Sequence, residues 1–294
     1  MKKKILIAVI VTLMLIALSQ LDAEGLLYGV AQIPVWVATL LFALQIATQF
    51  LINWQWYEIA KAVGIRVSFW AMFYVNCKGA VVDSITPGVK IGGEVTRAVQ
   101  LKREGACTTE QAAAIVAVQK LFSMGALFLV MGFAVGWWVF IPFLIIFLCV
   151  FFVPHRIKNY VRWNFLITLC EQVENIRGNK RLFVPLFLLS LCIWLLYPAK
   201  MYILVLQFAT DVSFFNAAAI TFAAYMVAML PIFPGGLGGF EATMTGLLAA
   251  TGVAVASAAV ITVLFRFVTF WFVMLFGAGY IALYKKVLPT LRDL

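Results

Sequence analysis

Hydrophobic positions in this chain fall in long, nearly unbroken runs, near residues 4–21, 27–53, 109–135, 137–153, 182–208 and 256–284. An α-helix needs about 20 apolar residues to cross a bilayer core, so these runs predict about six full spans. Two further runs, near 69–85 and 214–232, each end in a Pro-Gly stretch: "TPGVKIGGEVTRA" (Thr86–Ala98) and "FPGGLGGFEA" (Phe233–Ala242). Polar punctuation orients the spans. Lys2, Lys3 and Lys4 open the chain, only Asp22 and Glu24 lie between the first two runs, and Lys61 and Arg66 follow the second. Basic loops face the cytoplasm, so both termini are expected inside, the C-terminus through Lys285, Lys286 and Arg292. A full crossing at 69–85 would carry Lys90, Arg97, Lys102 and Arg103 outside. A dip from the cytoplasm that turns at Pro87–Gly93 keeps them inside, and a dip from the outer face that turns at Pro234–Gly239 balances it. The pattern therefore predicts an all-α polytopic membrane protein: one transmembrane domain over 1–294, with two re-entrant helix pairs entering from opposite faces. The opening run reads as a retained first span. Segment 154–181 reads as a cytoplasmic amphipathic linker, with Trp163 and Phe165 among its lipid-facing residues.

Composition removes the alternatives. Of 294 residues 65% are hydrophobic and 12% charged, where a soluble domain carries about a quarter charged residues. The formal charge of +10 fits basic loops and anionic lipid surfaces, not nucleic acid. Five scattered cysteines show no disulfide or metal spacing and read as small packing residues; the one histidine, His155, leaves Ser-His-Asp and multi-histidine chemistry little support. No G-x-x-x-x-G-K-[ST] loop is present. No metal or cofactor is expected. The abundant Met and Phe read as lipid-facing packing.

Self-alignment at an offset of 147 places Pro87 on Pro234, Gly88 on Gly235, Gly92 on Gly239 and Glu94 on Glu241. Lys120 lies 26 residues after Glu94, and Arg266 lies 25 after Glu241. Opposite entry faces are what an inverted repeat produces, with halves near 27–135 and 182–284. Irregular backbone at membrane depth must be buried in protein or line a wet cavity. A helix that starts after a glycine turn offers free N–H groups and partial positive charge to phosphate. Gly235, Gly236, Gly238 and Gly239 are thus the residues expected to open the backbone, with Lys120 and Arg266 holding an anionic headgroup and Glu94 and Glu241 pairing with those cations, binding a cationic substrate group or carrying a coupled proton. Plainer roles stand beside these: Glu241 as a helix cap, Glu94 with Arg97 as an i, i+3 pair, and Glu94–Lys120 and Glu241–Arg266 as structural ion pairs. Intramembrane charge is expensive, which favours function. Lys200, beside Pro198, is either a lining residue or a snorkelling one, and Asp83 serves the backbone at the first turn.

At "TPGVKIGGEVTRAVQL" (86–101), "PIFPGGLGGFEA" (231–242) and "LFRFVTFW" (264–271) the chain resembles the transmembrane, flippase-like domain of lysylphosphatidylglycerol synthase. The resemblance spans nearly the whole chain. It implies lipid translocation between leaflets of the cytoplasmic membrane, with Glu94, Arg97, Glu241 and Arg266 on the family's polar motif positions. Where the family often has an acidic-arginine pair this chain has Gln119–Lys120, which implies a different headgroup preference. No aminoacyl-transfer domain follows the last span within these residues, so lipid aminoacylation is not expected. The leading expectation is a transporter, not an enzyme, for a phospholipid or polyprenyl-phosphate-type lipid with an anionic or phosphate-bearing headgroup. Two rivals are an intramembrane enzyme with Glu94 or Glu241 as base, and a non-transporting partner of a lipid-modifying enzyme docking through 154–181. Self-association into a homo-oligomer is compatible with each.

Overall fold

The computed structural model describes residues 28–86, 91–105, 107–137, 141, 144–145, 164–208, 211–230 and 236–291, and every regular element among them is helical. The expected span at 4–21, most of that at 137–153, His155, Trp163 and the turn residues Pro87, Gly88, Lys90, Pro234 and Gly235 lie outside the described residues.

Helix α1, Val35–Ala62, enters at Pro34, whose fixed φ and missing N–H suit a helix start. It runs nine residues past the expected end at 53, and Gln55, Trp56, Ile59 and Ala60 of that extension are all buried. Ser68 caps α2, Phe69–Ile85, by accepting from the Ala71 N–H. The short α3, Ile91–Glu104, returns against α2. A capping box, Thr108 with Gln111, opens α4, Thr109–Val135. After α5, Asn164–Gly178, comes α6, Lys180–Val205, with Pro185 and Pro198 in its interior. Pro198 has no N–H to give the carbonyl of Trp194 four residues back. Ser213 caps α7, Phe214–Ala228, and α8, Gly239–Ala250, packs back on it. The last rod consists of α9, Val255–Arg266, a π-helical segment, Phe267–Trp271, and α10, Phe272–Leu291.

Among the described residues, four helical stretches are long and apolar enough to cross a membrane: Val35–Ala62, Thr109–Ala134, Lys180–Phe208 and Val255–Lys286. The chain is therefore an all-α polytopic membrane protein. Helices α2 and α7 have 17 and 15 residues, or about 25 and 22 Å at 1.5 Å per residue, short of a core about 30 Å thick. The described elements thus run long, short, short, long twice: α1 to α4, then α6 to the last rod.

Two main cores form, and α1 and α6 contribute to both, α1 through Trp56 and Leu41 and α6 through Leu186 and Met201. Trp56, Met72, Leu101, Ile115 and Phe122 centre the first; Leu41, Met201, Phe240, Met244 and Phe265 centre the second. Leu127, Met131 and Phe222 join them. Phe73, Phe122, Phe222, Phe240 and Phe265 are buried, so part of the phenylalanine content packs protein. Val173 and Ile176 of α5 sit in the first core, so part of the apolar face of the 154–181 segment covers protein. The last rod serves both groups. Phe265 stacks on Phe240 and Thr245 bonds Thr262 at 3.0 Å, tying α9 to α8. Tyr280 donates to the Trp70 carbonyl at 3.1 Å and Tyr284 stacks on Tyr74, tying α10 to α2.

Candidate functional site

The first helix pair, α2–α3, is fastened by a carboxylate. Asp83 Oδ1 accepts the Gly93 N–H at 2.9 Å, and Oδ2 pairs with Arg97 at 3.0 Å. Two glycines make the fit. A Cβ on Gly93 would lie 2.2 Å from the Asp83 carboxylate, and one on Gly79 would lie 2.5 Å from the Arg97 guanidinium. Gly92 and Gly93 belong to the first turn of α3 and not to the loop before it. Arg97 also faces the Trp56 ring at 5.8 Å. The expected i, i+3 pairing of Glu94 with Arg97 is replaced by two cross-element pairs, since Glu94 meets Lys120 of α4 at 2.5 Å. Gly93→Ala is expected to cost about 1–3 kcal/mol through overpacking, read as a lower melting midpoint in detergent. An unchanged midpoint would show that Asp83 has room to yield.

The second pair, α7–α8, repeats the device with different residues. Gly236 and Gly238 turn the chain with φ of 71° and 85°, a region open to glycine at no steric cost. At Gly236 a Cβ would also lie 2.5 Å from the Ala228 methyl. Gly239 is the first residue of α8, and Glu241 serves two partners. Its Oε2 accepts the Gly238 N–H at 2.6 Å and its Oε1 pairs with Arg266 Nε at 3.0 Å. The plain reading of Glu241 as a cap and its reading as an ion-pair partner hold together. Arg266 is 5% exposed, with its guanidinium over the rings of Phe240 (4.6 Å) and Phe270 (4.1 Å).

These contacts change what the helix starts offer. Sequence reasoning leaves their N–H groups open for phosphate, but Gly93 and Gly238 donate to Asp83 and Glu241. An anion reaches those two amides only by displacing a carboxylate. A guanidinium, by contrast, carries five N–H donors, so pairing with one carboxylate leaves others for an anion.

Arg97 and Arg266 line the same cavity, about 190 Å³ in volume, between the two groups of helices. Asp83, Asn76, Trp194 and Tyr225 share its wall, with apolar surface from Leu127, Met131 and Phe222. At about 30 Å³ per water, the space holds about six waters, enough for a phosphate group and not for acyl chains. Glu94, Lys120, Gly236, Gly238, Gly239 and Glu241 are not part of that wall; Glu241 reaches it through Arg266. Gly235 is outside the described residues.

Sequence reasoning missed a buried polar seam. Gln55 hydrogen-bonds the Ser190 hydroxyl and accepts from Gln119 at 3.1 Å. Lys200 is fully buried; it donates to Gln45 and to Thr48 (3.2 Å) and lies 4.5 Å over the Tyr197 ring. It does not snorkel and does not line the cavity, though Tyr197 does. The signal was present: Gln45, Thr48 and Gln55 recur at helical spacing within an apolar run. Among the described residues no group of His, Cys, Asp and Glu has the arrangement of a metal site.

Comparison with known proteins agrees with this architecture. A family model described as the lysylphosphatidylglycerol synthase TM region matches residues 5–277. A UPF0104 membrane protein of Methanothermobacter thermautotrophicus is 25% identical over 269 aligned residues, covering 78% of this chain and 80% of its own length. UPF0104 membrane proteins of Methanocaldococcus jannaschii and Pyrococcus horikoshii are 24% and 22% identical, covering 83% and 99% of both chains respectively.

Proposed function

We infer lipid translocation from two premises: the chain belongs to the lysylphosphatidylglycerol synthase TM-region family, and guanidinium groups from its two halves line one cavity. The second observation carries the reading. Arginine is a fixed cation whose planar fork matches phosphate oxygens, and two of them at a space sized for a headgroup describe a phosphate receptor. The substrate is a phospholipid or polyprenyl-phosphate-type lipid whose tails stay in the bilayer while the headgroup enters the cavity. Short helices α2 and α7 support re-entrant pairs, and the repeated order of long and short helices, with Glu94–Lys120 and Glu241–Arg266 at matching places, supports an inverted repeat. The location is the cytoplasmic membrane with both termini inside, and the protein acts as a transporter and not as an enzyme.

The test is reconstitution of the purified protein in vesicles with fluorescent phospholipids and polyprenyl phosphate, followed by a membrane-impermeant quencher. Protein-containing vesicles are expected to expose a larger quenchable fraction of a phosphate-bearing lipid than protein-free ones, and no extra fraction of a phosphate-free diacylglycerol. Failure with every phosphate-bearing lipid, under imposed gradients of both signs, would overturn the reading.

A further inference from the structure

Among the described residues, three charged side chains line the cavity: Asp83, Arg97 and Arg266. Two guanidiniums against one carboxylate leave the wall one positive charge in excess. The two arginines carry their counter-ions differently. Glu241 reaches Arg266 from outside the wall, whereas Asp83 stands in the wall itself, beside the space a headgroup would enter. The internal repeat does not account for Asp83. An offset of 147 places Leu230 opposite Asp83 and Met244 opposite Arg97, so this pair belongs to the first half alone. Its carboxylate takes the same two kinds of donor that a phosphate takes: an N–H in the first turn of a helix, from Gly93, and a guanidinium N–H, from Arg97. Neither side chain is sealed off, Asp83 being 11% and Arg97 15% exposed.

A guanidinium at membrane depth without a counter-ion is expensive. Asp83 meets that need while the cavity holds no lipid, and a phosphate arriving at Arg97 meets it in turn. The two anions cannot both hold the same donor, and at close range they repel. We propose that Asp83 is a resident competitor of the headgroup phosphate: it holds Arg97 before lipid enters, yields the guanidinium to the phosphate, and takes it back on release. Its Oδ1 stays on the Gly93 N–H throughout, which keeps the carboxylate within reach of Arg97. The residue thereby sets how strongly phosphate charge is retained, and not which further groups the headgroup carries. The proposal rests on the headgroup-cavity reading of the previous section and adds one step to it, the exchange of one counter-ion for another.

Competition is read as binding, independently of transport. The detergent-solubilised protein is titrated with three lipids, and bound lipid is quantified by native mass spectrometry. Phosphatidylglycerol is a singly charged phosphodiester, polyprenyl phosphate is a monoester with a charge of about −1.5 to −2 at neutral pH, and diacylglycerol is uncharged. Asp83→Asn keeps an oxygen for the Gly93 N–H and removes the charge. Its affinity for phosphatidylglycerol is expected to rise about tenfold, the size of one charge-assisted hydrogen bond handed to the ligand. The rise is expected to be larger for polyprenyl phosphate and absent for diacylglycerol. A carboxylate that only braces the α2–α3 pair predicts weaker binding, or a change without this grading by charge. Should Asp83→Asn fold poorly, Asp83→Ser is a smaller neutral replacement and is expected to give the same order. Unchanged or weaker binding of both phosphate-bearing lipids in the two variants, a rise no larger for polyprenyl phosphate, or a rise shared by diacylglycerol would overturn the proposal. Each of these can occur with translocation intact. Conversely, tighter and charge-graded binding in a protein that moves no lipid would overturn translocation and leave the competition standing.

Discussion

Arg266→Ala is expected to slow lipid movement in reconstituted vesicles by about 100-fold or more, with the protein still folded. Truncating one partner of a buried charge pair costs about 2–5 kcal/mol in binding, and each 1.36 kcal/mol is about tenfold in rate. Arg266 is the more deeply buried of the two cavity arginines, its side chain 6% exposed against 15% for Arg97. Its contact with a phosphate is correspondingly less screened by solvent. Arg266→Lys keeps the charge and loses the fork, so it should fall between alanine and wild type. The measurement pairs quencher accessibility with a melting curve for each variant. A well-folded Arg266→Ala that moves lipid at the wild-type rate would remove Arg266 from the mechanism.

The second large effect is on stability. Glu241→Ala removes the cap on the Gly238 N–H and the counter-ion of Arg266 in one change. Breaking a buried pair from one side costs about 3–5 kcal/mol. Since the Glu241 side chain is 28% exposed, the lower end, about 3 kcal/mol, is the appropriate expectation. It should appear as a clear drop in melting midpoint and in proteolytic resistance around 236–250. Glu241→Gln retains an oxygen for the Gly238 N–H while losing the charge, and should recover part of the loss. If glutamine and alanine are equally mild, the pair adds nothing to stability.

Much of the architecture was legible because long apolar runs and Pro-Gly interruptions are strong one-dimensional signals. The helices at 69–85 and 109–135 fall where the pattern puts them. The offset that superposes Glu94 on Glu241 also pointed to the cations they meet, Lys120 and Arg266. What stayed hidden depends on chain reversal. Asp83 lies 14 residues before Arg97, too far for helical neighbours, and only the α2–α3 turn brings them together. The occupation of the Gly93 and Gly238 amides by carboxylates is likewise invisible in a glycine pattern that reads equally well as open backbone. Lys200 was misjudged because its partners are neutral: Gln45 and Thr48 lie 155 and 152 residues away and carry no charge to flag them.

The last rod has a mechanical consequence. Its first part is held to α8 by Phe265 and Thr262, its second to α2 by Tyr280 and Tyr284, and the π-helical turn lies between the two attachments. Arg266 is the residue immediately before that turn. π-helical turns are frequent at functional sites, and this one places any bend of the rod beside the guanidinium. A tilt of either arm about that turn would shift the charge within the cavity, and the continuous backbone would pass the strain to the other helix pair.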